Sequence, residues 1–156
     1  MRPMLLLIFQ AGAQTYGLDS RQVVEVAPYP QCALLAHAPA YVAGLAQWRG
    51  CTIPVIDLTA LIGGTPSSAL FSTRLVVVDY FASKGRACPL GLVAEKAVEI
   101  LKLDESSMEP PKVGIPDAPY LSGTMEYAGR LIQCVTVNEL LPVSVRQFLF
   151  PEAEAA

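Results

Sequence analysis

The residues able to do chemistry in this chain are few and scattered. His37 is the single histidine, in Leu35-Ala36-His37-Ala38-Pro39. Nucleophilic catalysis needs a serine or cysteine held beside a base, and no G-x-S-x-G elbow accompanies this histidine. A metal site would have to be assembled from one histidine and carboxylates without ligand spacing. Cys32, Cys51, Cys88 and Cys134 lie far apart with no C-x-x-C pair, so they read as free, mostly buried thiols in a reducing cytoplasm. Gly63-Gly64 lacks the lysine and helix of a phosphate-binding loop and reads as a turn. The acids Asp104-Glu105, and Glu95 near Glu99, fall at turns or solvent-facing positions with no evident partner. No catalytic residue, metal or cofactor is assigned, and the chain does not read as an enzyme.

The elements that would position these groups are mostly strands. Leu5 to Phe9, Val23 to Val26, Cys51 to Ile56, Leu75 to Tyr80, Leu90 to Ala94, Ala97 to Leu101 and Leu131 to Val137 are short, apolar and often β-branched. Turn material such as Gly12, Gly17, Pro28-Tyr29-Pro30, Gly63-Gly64-Thr65-Pro66, Gly85 and Pro110-Pro111 separates them, which suits barrels or sandwiches. Three short helices are predicted. One covers Pro39 to Ala46, with Pro in its first turn. A second covers Leu58 to Ile62, capped by Asp57 and stopped by Gly63. The third is C-terminal, with Asn138 capping Glu139 to Leu141 and Val143 to Phe150 following before an acidic tail. No short-period repeat or flexible linker is evident.

Composition narrows the partners. Eleven Lys plus Arg against fourteen Asp plus Glu give a net charge of −3, with no basic stripe for phosphates, so nucleic acid is not expected. Hydrophobic residues make up 53% of the chain and charged ones 16%, which leaves apolar surface to explain. The run Met4 to Phe9 is far short of the ~18 residues of a membrane span, and it reads as a strand rather than the core of a signal peptide.

The order of motifs resembles the CheW family of chemosensory coupling proteins. Tyr16-Gly17-Leu18-Asp19, Val23-Val24-Glu25-Val26, Ala38-Pro39-Ala40-Tyr41-Val42-Ala43-Gly44 and Trp48-Arg49-Gly50 follow that family's first half, and Ile53-Pro54-Val55-Ile56-Asp57-Leu58 is the strongest single run. Thr73-Arg74-Leu75-Val76-Val77-Val78, Leu90-Gly91-Leu92-Val93, Val98-Glu99-Ile100-Leu101, Tyr120-Leu121-Ser122-Gly123 and Gly129-Arg130-Leu131-Ile132 continue it to about residue 142. Gln47-Trp48 departs from the family's usual Asn-Leu, Ala94-Glu95 from Val-Asp, and Thr136 from a frequent Asp.

The resemblance implies a mainly β fold: two small five-stranded SH3-like or OB-like barrels packed together, with short helices. One domain would span 1–142, with 143–156 as a C-terminal helix or tail. It further implies a non-enzymatic cytoplasmic adaptor without cofactors or direct membrane insertion. Its partners would be the cytoplasmic tip of methyl-accepting chemoreceptors, the regulatory domain of a CheA-type histidine kinase and other CheW-like proteins in an array. Val23, Glu25, Val26, Gly44, Trp48, Arg49, Gly50, Thr73 and Ile100 are the candidate docking residues. Trp48 and Arg49 could equally be an interface anchor and fork, or a packed ring and an internal ion pair. The alternative function is a small-molecule-binding β-barrel without kinase coupling.

Overall fold

Two apolar runs, Leu5 to Phe9 and Leu75 to Val78, lack the in–out alternation of a half-exposed strand, and the fold explains both. In β1 (Pro3–Ala11) Met4, Leu6 and Ile8 point into one core while Leu7 and Phe9 point into another. In β6 (Arg74–Ser83) Leu75 and Val77 face one core and Val76, Val78 and Tyr80 the other. Strands buried on both faces have no polar side to write into the sequence. The structure, a computed structural model, describes residues 2–68, 72–83 and 85–151.

The remaining elements are β2 (Gln14–Asp19), β3 (Val23–Pro28), β4 (Val42–Trp48), β5 (Cys51–Asp57), α1 (Leu58–Gly63), β7 (Arg86–Asp104), β8 (Leu121–Tyr127), β9 (Arg130–Val135) and α2 (Val143–Leu149). They form two five-stranded barrels. The central barrel has strand order β3-β6-β7-β5-β4, and the terminal barrel, built from the two ends of the chain, has order β7-β1-β2-β9-β8. β7 belongs to both: residues 86–94 pair with β6 and residues 95–104 with β1. The switch falls at Lys96, whose φ of 52° is left-handed.

Three apolar layers hold this together. Met4, Leu6, Ile8, Met125 and Ile132 fill the terminal barrel, and Ile53, Val55, Leu75, Val77 and Val93 fill the central one. Between the barrels lies the largest layer, with Phe9 stacked on Tyr16 and Tyr80 on Phe150. Each fully buried Leu, Ile, Val or Phe contributes about 1.5–3 kcal/mol relative to exposure. α2 sends Val145 into this middle layer, so the C-terminal helix closes the junction between barrels. The predicted acidic tail, 152–156, lies outside the described residues.

The barrels are two copies of one pattern with the chain entering at different points. β3, β4, β5, β6 and β7 of the central barrel correspond in order to β7, β8, β9, β1 and β2 of the terminal one, and the one parallel pair of each, β5–β7 and β2–β9, falls at the same place. Residues 41–58 match residues 120–137 without a gap: Tyr41 with Tyr120, Gly44 with Gly123, Trp48 with Tyr127, Gly50 with Gly129 and Ile53 with Ile132. The Asp57 amide donates to Tyr41 O at 2.7 Å, and the Thr136 amide to Tyr120 O at 2.7 Å. The repeat is long-period and circularly permuted, which is why a search for short periods does not find it.

Two helix expectations are corrected. Residues 39–46 are not a helix: after a single turn closed by Val42 N–H to Pro39 O, the chain becomes strand β4, with Val42, Gly44 and Ala46 buried against β5. Tertiary burial of alternate residues outweighs the helical preference of Pro39. Asn138 does not cap a helix. Its side chain accepts from Phe81 N at 3.1 Å and donates to Phe81 O at 2.9 Å, tying the 3₁₀ turn after β9 to the exposed end of β6. Asp57 does cap α1, and its carboxylate also accepts from Ser67 N and Oγ.

Candidate docking surfaces

The open seam of the central barrel lies between β3 and β4, which stand at opposite ends of the strand order. Side chains bridge it. β4 and β5 are joined by a two-residue turn, Arg49-Gly50, with φ of 47° and 75°. Two left-handed residues match the right-handed twist of the hairpin, and glycine takes the second without strain. From this turn the Arg49 guanidinium reaches Glu25 on β3, with Nε and Nη2 both donating to Oε1 at 3.1 and 2.5 Å. Trp48 Nε1 donates to Oε2 of the same carboxylate at 3.2 Å, and the guanidinium lies over the Trp48 ring, 4.7 Å from its centroid. The bonds from Arg49, then that from Trp48, hold the Glu25 carboxyl below the usual range. Glu25, Trp48 and Arg49 thus meet as one cluster.

The terminal barrel carries the counterpart. Its β8–β9 turn, Ala128-Gly129, is also left-handed at both residues, φ 49° and 78°. Arg130, just beyond it, donates from Nη2 to Glu99 Oε1 at 3.1 Å. Glu99 sits in Val98-Glu99-Ile100 of β7, which repeats Val24-Glu25-Val26 of β3. Glu99, expected to be a solvated acid, is therefore half of an ion pair on an apolar strand. Comparing the two Val-Glu-aliphatic triplets was the signal that could have found it.

Other candidate residues sort by exposure. On β3 burial alternates and a bulge follows Val23, so Val24 and Val26 are exposed while Val23 packs against the middle core. Val26 meets Val98 and Ile100 across a groove of about 330 Å³ that runs between the barrels and is floored by Leu7 and Ala97. Gly44 is a packing requirement: at φ 132° an added Cβ would lie 2.1 Å from Ala33 O. Thr73 is only 1% exposed and donates from Oγ1 to Ser68 O, so it braces a loop instead of facing a partner. Trp48 is half-buried, which suits neither a free anchor nor a core ring.

Among the described residues no catalytic arrangement emerges around the reactive groups. His37 is exposed on a turn with φ 64°. The expectation of mostly buried thiols is corrected: Cys51 is exposed, Cys32 and Cys88 are half-buried and only Cys134 is buried, and all four are free. Burial, with a smaller push from Asp19, raises the Cys134 thiol to about 11, which leaves it protonated and inert. Among the described residues no group of His, Cys, Asp and Glu could hold a metal ion, and no helix is long and apolar enough to cross a membrane.

Twin barrels, a groove between them and ion-paired hairpins make a frame for protein contacts. Residues 5–144 match the model of the CheW-like domain. The chain belongs to the CheW-like family. The chemotaxis protein CheW of Klebsiella aerogenes is 28% identical over 137 residues, covering 86% of this chain and 80% of that protein. CheW of Rhizobium meliloti is 24% identical over 144 residues, covering 91% and 90%. In three dimensions the chain is similar to the scaffolding protein CheW of Thermoanaerobacter tengcongensis, with TM-score 0.79, 26% identity and coverage of 92% and 90%. The CheW-like family is one of non-enzymatic scaffolds, which fits a molecule whose notable side chains pair with one another instead of converging on a reacting atom.

Proposed function

We propose that this CheW-like chain is a cytoplasmic coupling adaptor that joins the tip of methyl-accepting chemoreceptors to the regulatory domain of a CheA-type histidine kinase. The observation that carries this reading is the duplicated hairpin face, one on each barrel, with an apolar groove between them. A chain with two related ends and a central groove can hold more than one partner without chemistry of its own. The groove, with Val26, Val98 and Ile100 facing outward, suits the apolar stripe of a helical receptor tip. The Glu25–Arg49 face suits the end of a homologous barrel.

Signal transfer is then linkage: receptor state alters kinase activity only if the contacts through the adaptor differ in free energy between states, typically by ~1–3 kcal/mol. Contacts of micromolar strength, about 8 kcal/mol each, gain from multivalency when many copies are arrayed. The test is calorimetric titration of the wild type, Glu25→Lys and Ile100→Asp with each partner separately. Glu25→Lys is expected to weaken the kinase domain about tenfold or more, and Ile100→Asp the receptor tip by a similar factor. Unchanged binding in both variants would remove these surfaces from the account.

A further inference from the structure

The two ion pairs are not equally open, and this difference bears on the adaptor reading proposed above. A carboxylate offers about four acceptor positions and a guanidinium five donors. Glu25 has three of its positions filled, two by Arg49 and one by Trp48, whereas Arg49 spends only two donors on Glu25. The Arg49 side chain is 59% exposed and that of Glu25 34%. Arg49 also occupies a left-handed position that is strained for a non-glycine residue, and its three attachments, two bonds and a stacked ring, hold it there. At the matching place in the terminal barrel, Glu99 receives one bond from Arg130, the two side chains are 43% and 39% exposed, and Tyr127 makes no hydrogen bond to Glu99 among the described residues.

We infer that Trp48 is a positioning residue that sets the sign of the central-barrel face. By donating to Glu25 and lying under Arg49, it occupies the carboxylate and leaves the guanidinium edge as the group presented beside Val24 and Val26. That face takes a partner segment offering a carboxylate next to an apolar side chain, and it rejects one that offers Lys or Arg, because Glu25 has little acceptor capacity left. The terminal-barrel face, with a single bond between equally exposed partners, can exchange its pair with either sign.

Two measurements test this without either natural partner, so they remain informative even if the chain binds neither receptor nor kinase. Trp48 is the only tryptophan, so its indole N–H gives one resolvable NMR signal. In the free wild type that signal is expected to follow the titration of the Glu25 carboxyl, and in Glu25→Gln to lose that titration. Trp48→Phe keeps a ring under Arg49 and removes the donor. Immobilised Glu-Leu-Glu-Leu and Lys-Leu-Lys-Leu peptides then read the sign: the wild type is expected to favour the acidic peptide by about tenfold, Trp48→Phe by less than about threefold. An indole signal indifferent to Glu25, a wild type without preference, or an unchanged ratio in a folded Trp48→Phe would each overturn the assignment.

Discussion

The central and terminal barrels share strand order, a bulged glycine, a left-handed hairpin turn and a Glu–Arg pair, yet they differ in how firmly each feature is held. In the central barrel Asp57 caps a real α-helix; at the matching position Thr136 makes no capping bond and only a 3₁₀ turn follows. In the central barrel the arginine comes from the turn and is clamped by Trp48; in the terminal barrel it comes from the strand and is held by one bond. Exposure runs the other way: Val98 and Ile100 are 63% and 60% exposed, Val24 and Val26 38% and 43%. One face is tied by three hydrogen bonds and partly covered, the other is held by one bond and exposes more apolar surface. A duplicated frame thus presents two faces of different character.

The comparison breaks most readily at the bulged glycines. Gly44→Ala places a Cβ 2.1 Å from Ala33 O at a positive φ, and Gly123→Ala places one 2.5 Å from Glu109 O. Urea unfolding is expected to show both destabilised, Gly44→Ala by about 3 kcal/mol or more and Gly123→Ala by less. Equal, small losses would mean that the two bulges are not the constraint described. The caps come next. Asp57→Ala is expected to cost about 1–2 kcal/mol, while Thr136→Asp, which installs the missing cap in the other barrel, gains up to about 1 kcal/mol in the same assay.

The ion pairs contribute least to stability. Arg130→Ala is expected to change it by less than about 1 kcal/mol, as for other exposed pairs, while weakening partner binding measurably. For Glu25 the sign follows from its lowered carboxyl: the pair's contribution is fully present above the unfolded glutamate range, about 4.3, and is lost as pH falls through the lower folded value. Thermal melts from pH 6 to pH 3 should therefore converge between wild type and Glu25→Gln at the acid end. A gap that widens toward low pH would contradict the assignment of that pair.

Much of this was legible in the sequence, and the misses have physical causes. The strands written in β-branched residues, such as Leu75 to Val78, announce themselves, and Asp57 before an apolar run marks its helix. β2, β4 and β8 each carry an interior glycine, Gly17, Gly44 or Gly123, which dilutes the strand signal; Gly44 and Gly123 make room for close backbone approach, and Gly17 for the side chains of Leu6 and Ile132. The 39–46 segment reads as helical because Pro39 suits a first helical turn, whereas the fold uses Gly44 at a strand bulge. Glu25 and Arg49 were legible as candidates, but their meeting was not, because β3 and the β4–β5 turn come together only at the barrel seam. Glu99 stayed hidden until the permuted repeat lined it up with Glu25, and Arg130 falls two positions beyond the match of Arg49, so no direct alignment marks it. Thr73 looked available because its sequence neighbourhood carries no measure of burial, and in the fold it is buried.

The central claim, that the chain links a receptor tip to a kinase regulatory domain through separate surfaces, is tested most directly by co-sedimentation. Receptor tips anchored on vesicles are mixed with the kinase regulatory domain, with and without this chain. Kinase domain should sediment only when the chain is present, and should fall about tenfold when Arg49→Ala or Glu25→Lys replaces the wild type. Kinase domain that sediments equally without the chain, or undiminished with both central-barrel variants, would contradict the account.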